Sequence, residues 1–127
     1  MQKSRDLRVR SFRFAVDVVN FSRAHLVDDA IVRRLAYQLV DAAGSVGANL
    51  EESGGGQTKP DFITKQFVAL KEIREANFWL RVIAEAYPAV RLKLAPLLQE
   101  SGELKAMITA SVLTAKSNPH RGSATQD

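Results

Sequence analysis

The chain contains no cysteine. Disulfides and thiolate metal sites are therefore excluded, and a reducing compartment is compatible. It has two histidines, His25 and His120. Neither follows a glutamate at three residues, so the Glu-x-x-His pairs of a di-metal carboxylate bundle are missing, and no metal or other cofactor is expected. No run of about 18 apolar residues occurs, so no membrane-spanning helix is expected. Residues 1–13 are interrupted by Lys3, Arg5, Arg8, Arg10 and Arg13, too charged for a signal peptide, and a cytoplasmic protein without a membrane partner is expected. No period-two alternation of apolar and polar residues stands out, and no internal repeat.

What is present is an ordinary globular mixture. Of 127 residues, 46% are apolar and 25% charged, enough for one domain with a real core. The net charge of +4 is unevenly spread. Six basic residues (Lys3, Arg5, Arg8, Arg10, Arg13 and Arg23) precede Asp28 against Asp6 and Asp17, whereas from Asp28 onward the signs balance. Such an excess suits a polyanion or, more plainly, a solvated helix face.

Apolar spacing and punctuation predict four helices. The first spans about Leu7–Leu26 with a stripe of Phe12, Ala15, Val16, Val19 and Phe21. Val27-Asp28-Asp29 breaks it and offers an aspartate as the next cap. The second spans about Ala30–Glu52 on Ile31, Leu35, Leu39, Ala42, Val46 and Asn49 or Leu50, and ends at Ser53-Gly-Gly-Gly56. The third starts at Thr58-Lys-Pro-Asp61, a capping-box-like arrangement with proline in the first turn. It runs through Ile63, Phe67, Leu70, Ile73, Leu80 and Ile83 to about Tyr87-Pro88. The fourth spans about Pro96–Lys116. The expected fold is all-α, an antiparallel up-down-up-down four-helix bundle over residues 1–117 with a loose tail at 118–127. Phe62, Phe78, Trp79 and Val82 fall off the main stripe of the third helix and are expected at a subunit interface.

Catalytic patterns are weak. Ala43-Gly44-Ser45-Val46-Gly47 resembles a serine elbow, but that motif needs a strand before it. Gly54–Lys59 lacks the order of a Walker loop. The run Ala42–Asn49 is unusually small for a helix, and its two glycines cost roughly 2 kcal/mol of propensity. Close approach of a neighbouring helix would compensate. Ser45 and Asn49 share a face, and with Glu52, Glu72, Glu75 and Asn77 they are expected to form a polar cluster that sets helix register. No catalytic residue is assigned.

Three runs are distinctive: Ser45-Val-Gly-Ala-Asn49-Leu-Glu-Glu52, Thr58-Lys-Pro-Asp-Phe62, and Ala69-Leu-Lys-Glu-Ile-Arg-Glu-Ala-Asn-Phe-Trp-Leu80. In them the chain resembles the bacterial four-helix bundle proteins encoded by intervening sequences of 23S rRNA genes, a ribosomal-protein-like family. It also resembles the accessory proteins of diversity-generating retroelements. The resemblance covers the second and third helices. Asp41 stands where many members carry a basic residue. The resemblance implies a non-enzymatic, ring-like homo-oligomer, typically a pentamer, that binds nucleic acid, and a possible protein partner such as a reverse transcriptase. The leading expectation is a nucleic-acid scaffold using Lys3, Arg5, Arg8, Arg10 and Arg13. The alternative is an accessory subunit for a partner enzyme, without nucleic-acid binding of its own.

Overall fold

A computed structural model describes residues 2–55 and 58–117, with side chains from Asp6 onward. These residues form α1 (Gln2–His25), α2 (Ala30–Ser53), α3 (Lys59–Ala86), a single 3₁₀ turn at Pro88–Val90, and α4 (Arg91–Ser117). Among the described residues no helix is long and apolar enough to cross a membrane. The expected tail at 118–127 lies outside the described residues.

Local chemistry explains the helix starts. Asp29 is extended, and its Oδ1 accepts from the Val32 N–H at 2.8 Å, an arrangement that typically contributes about 1 kcal/mol. Thr58 is likewise extended, and its Oγ1 accepts from the Asp61 N–H at 3.4 Å, with Pro60 in the first turn. The helix α2 ends at Ser53, where the glycine run begins, as expected. Gly54 caps it at φ −87°, outside the left-handed region. The tip of the Arg8 side chain lies beside it: a Cβ on Gly54 would be 2.8 Å from Nη1 of Arg8, which a shift of that side chain would relieve.

Pairings between helices run in opposite directions. Along α1 and α2, Arg8 meets Gly54 while Ser11 meets Gly47. Along α2 and α3, Lys65 meets Glu52 while Tyr87 meets Asp28 just before α2. Along α3 and α4, Lys116 lies over Phe67, Asn77 bonds to Ser101, and Arg91 bonds to the Ala84 carbonyl. Arg10 joins α1 to α4. Each helix thus packs antiparallel to its sequence neighbours, and α1 closes on α4, as in an up-down-up-down bundle.

The core is one continuous cluster that includes Phe14, Leu39, Leu50, Ile73, Leu80, Leu94 and Ile108. Its register corrects several expected stripes. On α1 the buried line is Leu7, Ser11, Phe14, Val18, Ser22 and Leu26, while Phe12 is 63% exposed and Val19 38%. On α2, Ile31 is 71% exposed, and Val32 and Ala36 take the inward positions. On α3 the buried line is Phe62, Gln66, Ala69, Ile73, Ala76, Leu80 and Ile83, and Phe67 faces outward. The helix α4 begins at Arg91 rather than Pro96 because the 3₁₀ turn leads straight into it. Pro96 lacks the N–H that would bond to the Leu92 carbonyl, and Leu92 is exposed, where water can serve that carbonyl.

At the small run of α2 a neighbouring helix comes within ordinary contact of one glycine only. The position of a Cβ on Gly47 is 3.7 Å from the Ser11 carbonyl oxygen, so α1 passes near it; nothing lies within 4 Å of the same position on Gly44.

Candidate functional site

The residues expected to bind nucleic acid are not equally placed. Arg10 is committed elsewhere. Its Nε donates to Glu100 Oε2 at 3.0 Å, and its Nη2 donates to Glu100 Oε1 at 2.6 Å and to Glu103 Oε1 at 2.7 Å. Its Nη1 contacts the Met107 sulfur at 3.2 Å. The hydrogen bonds to Glu100 and then Glu103 raise its pKa further above the ordinary guanidinium value, and the bond from Arg10 holds the Glu103 carboxyl below the usual range. Arg10 is therefore a clasp between α1 and α4 with its charge neutralised, a correction to its expected role. Arg8 lies against Gly54 at the end of α2. Arg13 is exposed. The side chains of Lys3 and Arg5 lie outside the described residues.

The expected polar cluster divides into separate local contacts. Asn49 Nδ2 donates to the Ser45 carbonyl at 2.8 Å and to its Oγ at 3.2 Å, within α2. Glu52 pairs with Lys65 at 2.7 Å. Glu75 accepts from Trp79 Nε1 at 3.3 Å. Asn77 points the other way, donating to Ser101 Oγ of α4 at 2.9 Å and accepting from Arg81 Nε at 2.9 Å. Among the described residues no hydrogen bond joins Asn49 to Glu72, Glu75 or Asn77. Helical geometry explains the split: Glu72 and Glu75 lie on the α2 side of α3, whereas Asn77 is turned toward α4. Glu72 has its pKa raised by burial and then by Glu75.

Besides the Glu52–Lys65 pair, a buried polar contact that sequence reasoning missed crosses from α2 to α3. Ser53 is buried; it donates to the Leu50 carbonyl at 2.8 Å and accepts from Gln66 Nε2 at 3.1 Å. A signal existed, since Ser53 continues the line Val46–Leu50 and Gln66 continues the line Phe62–Ala69, both at three- and four-residue spacing.

The expected interface residues also separate. Phe62 is 5% exposed and packs against Ala115. It is inside the bundle and unavailable to a second subunit, because the α3 stripe is rotated from its expected register. Phe78 is 46% exposed. Trp79 is half-buried against the core, and Val82 is half-buried.

Two outer faces emerge instead. On α1, Val9, Phe12, Val16 and Val19 recur at three- and four-residue spacing, and Val9 and Phe12 are 61% and 63% exposed. They lie beside the outer side of α2, where Tyr37, Gly44 and Ala48 are exposed. This face is apolar and small. On α3, Phe67, Lys71, Arg74, Phe78 and Arg81 recur at the same spacing, and all five are exposed. The Arg81 guanidinium lies 5.9 Å from the Phe78 ring centre, and the Lys116 ammonium of α4 lies 5.3 Å from that of Phe67. Lys105 is exposed three turns before Lys116 on the same side of α4. Among the described residues the acids beside this stripe are Glu85, one turn beyond Arg81, and the half-buried Glu75, one turn beyond Lys71.

An open cleft of about 470 Å³ lies at the other end of the bundle, between Asp29, Ile31, Leu35, Ile83 and Tyr87. Its one carboxylate, Asp29, is engaged in capping α2. The Tyr87 hydroxyl donates to Asp28, which raises the tyrosine pKa. No nucleophile and base converge there. Among the described residues no group of three or more metal-ligating side chains comes together.

Residues 3–110 match the family described as 23S rRNA-intervening sequence protein. A crystal structure of a protein of unknown function from the S23 ribosomal protein family of Bacteroides thetaiotaomicron superposes with a TM-score of 0.76 at 26% identity, covering 87% of this chain and 97% of that one. Among curated proteins no relative matches. Neither description names an enzyme.

Proposed function

The chain belongs to the 23S rRNA-intervening sequence protein family, and we propose that it is a non-enzymatic scaffold that assembles from several copies and binds nucleic acid. The observation that carries the reading is the sorting of surface chemistry between two faces. Lys71, Arg74, Arg81, Lys105 and Lys116 gather on the outer side of α3 and α4, away from Glu100 and Glu103, which turn toward α1 and Arg10. Repeated in several subunits, such a face would concentrate positive charge against phosphates. The apolar face of α1 and α2 supplies the self-assembly surface.

Light-scattering mass, followed by titration of structured RNA and duplex DNA across a salt series, tests this. The expected result is an oligomer whose affinity falls steeply with salt and drops on combined Lys71→Glu, Arg74→Glu and Arg81→Glu substitution. An oligomer that binds neither at low salt would leave the accessory-subunit reading, in which a partner protein rather than nucleic acid is held.

A further inference from the structure

We propose that the outer stripe of α3 binds a single strand of nucleic acid, with bases stacking on Phe67 and Phe78 and phosphates meeting Lys71, Arg74, Arg81 and Lys116. This rests on the nucleic-acid reading above and names the class of ligand.

The stripe is built of alternating kinds of side chain. Phe67 and Phe78 are three turns apart, and Lys71 and Arg74 occupy the two turns between them. At 1.5 Å per residue the rings are about 16 Å apart along the helix. That spans about five nucleotides at a base-stacked rise of about 3.4 Å. The rings remain 44% and 46% exposed. Each also has a cation over one face, Lys116 at Phe67 and Arg81 at Phe78, so a base would stack on the other face or displace the cation toward its phosphate. Arg81 is held by Asn77 Oδ1 at 2.9 Å, and Phe78 abuts the Trp79 ring edge-on with centroids 5.0 Å apart. The Phe78 ring is therefore steadied on two sides.

Such a pairing suits a nucleotide, whose base offers a π-face and whose phosphate lies one bond system away. A duplex offers phosphates but hides its base faces, so the phenyl rings would gain nothing from it. Phenylalanine has no donor or acceptor with which to read groove edges. Charge alone would have been served by lysines and arginines; the exposed rings distinguish a single strand from other polyanions.

The test uses the full chain with labelled 20-nucleotide oligo-U, oligo-dT, a 20-base-pair duplex, and vesicles of anionic lipid. Single strands are expected to bind at least tenfold more tightly than duplex. Phe67→Ala and Phe78→Ala are each expected to weaken single-strand binding by roughly five-fold to a hundred-fold, the range for loss of one stacked base, without changing the salt slope or duplex affinity. Combined Lys71→Gln, Arg74→Gln and Lys116→Gln is expected to flatten the slope by about 0.7 per lost phosphate contact. Trp79, the one tryptophan, reports occupancy at Phe78 through its emission. Both phenylalanines are exposed, so circular dichroism of the variants should match the parent. Duplex binding equal to single-strand binding, with the Phe variants unaffected, overturns the stacking proposal and leaves the nucleic-acid reading standing. Binding to neither nucleic acid overturns both. Tighter binding to the vesicles than to either strand assigns the stripe to a membrane surface and overturns the proposal.

Discussion

The outer faces of α1 and α3 share a spacing and differ in everything else. Val9, Phe12, Val16 and Val19 present an apolar line beside an α2 surface carrying Gly44 and Ala48, whereas Phe67, Lys71, Arg74, Phe78 and Arg81 interleave rings with cations. A purely apolar line gains by excluding water against another apolar surface. A mixed line keeps its cations hydrated and suits a ligand that is itself part charged and part flat. The same helical period therefore presents an apolar line on one helix and a line of rings and cations on another. Gly44 sharpens the contrast. A Cβ on Gly47 would make ordinary contact with α1, whereas on Gly44 it would meet open space among the described residues.

The largest expected effect follows from breaking the apolar face. Phe12→Glu with Val19→Glu puts two charges on it without touching the core. Scattering mass is expected to fall to that of one chain while helicity is retained. An unchanged oligomer would move the assembly surface elsewhere. Next comes the clasp that ties the two halves of the bundle together. Arg10→Ala is expected to lower the melting temperature by roughly 3–6 °C, modest because the guanidinium and both carboxylates are partly in water.

The clasp also has a pH signature. Glu103 has a lowered folded pKa, so its stabilising contribution is complete above the unfolded value near 4.5 and is lost as pH falls through the folded value. Glu72 has a raised folded pKa, so its contribution is greatest in acid and is lost as pH rises through that folded value. Glu72→Gln should therefore raise the melting temperature slightly at pH 7 and lose that advantage near pH 4. A gain that persisted at pH 4 would rule out ionisation as the cause.

The smallest effect separates the two faces through glycine. Gly102 has open space where a Cβ would sit, and Gly102→Ala should stabilise the chain by up to about 1 kcal/mol with no change of mass. Gly44→Ala should give a similar gain in a dilute single chain. It should weaken assembly if another copy packs there, which a concentration series of scattering would reveal.

Much of the fold was legible because its punctuation is local. Asp29 and Thr58 cap helices through side-chain oxygens that reach N–H groups three residues on, and no distant residue enters. The break at Tyr87-Pro88 is likewise a matter of backbone. Stripe assignment on α1 was less legible because two apolar lines compete at the same period. Phe12 and Val19 face outward, while the line of Leu7, Phe14, Val18 and Leu26, interrupted by Ser11 and Ser22, faces in. On α3 the one-position shift that buried Phe62 also brought out Phe67. Arg10 looked like its neighbours because its partners, Glu100 and Glu103, are some ninety residues away.

The sequence by itself determined four helices, their caps and the absence of thiol chemistry, because these depend on residue type and spacing within a turn or two. Only the tertiary structure decided which apolar line of each helix is the core and which arginine is spent on an internal clasp. It also decided that rings and cations from α3 and α4 share one face, because those outcomes depend on how closely separate helices approach.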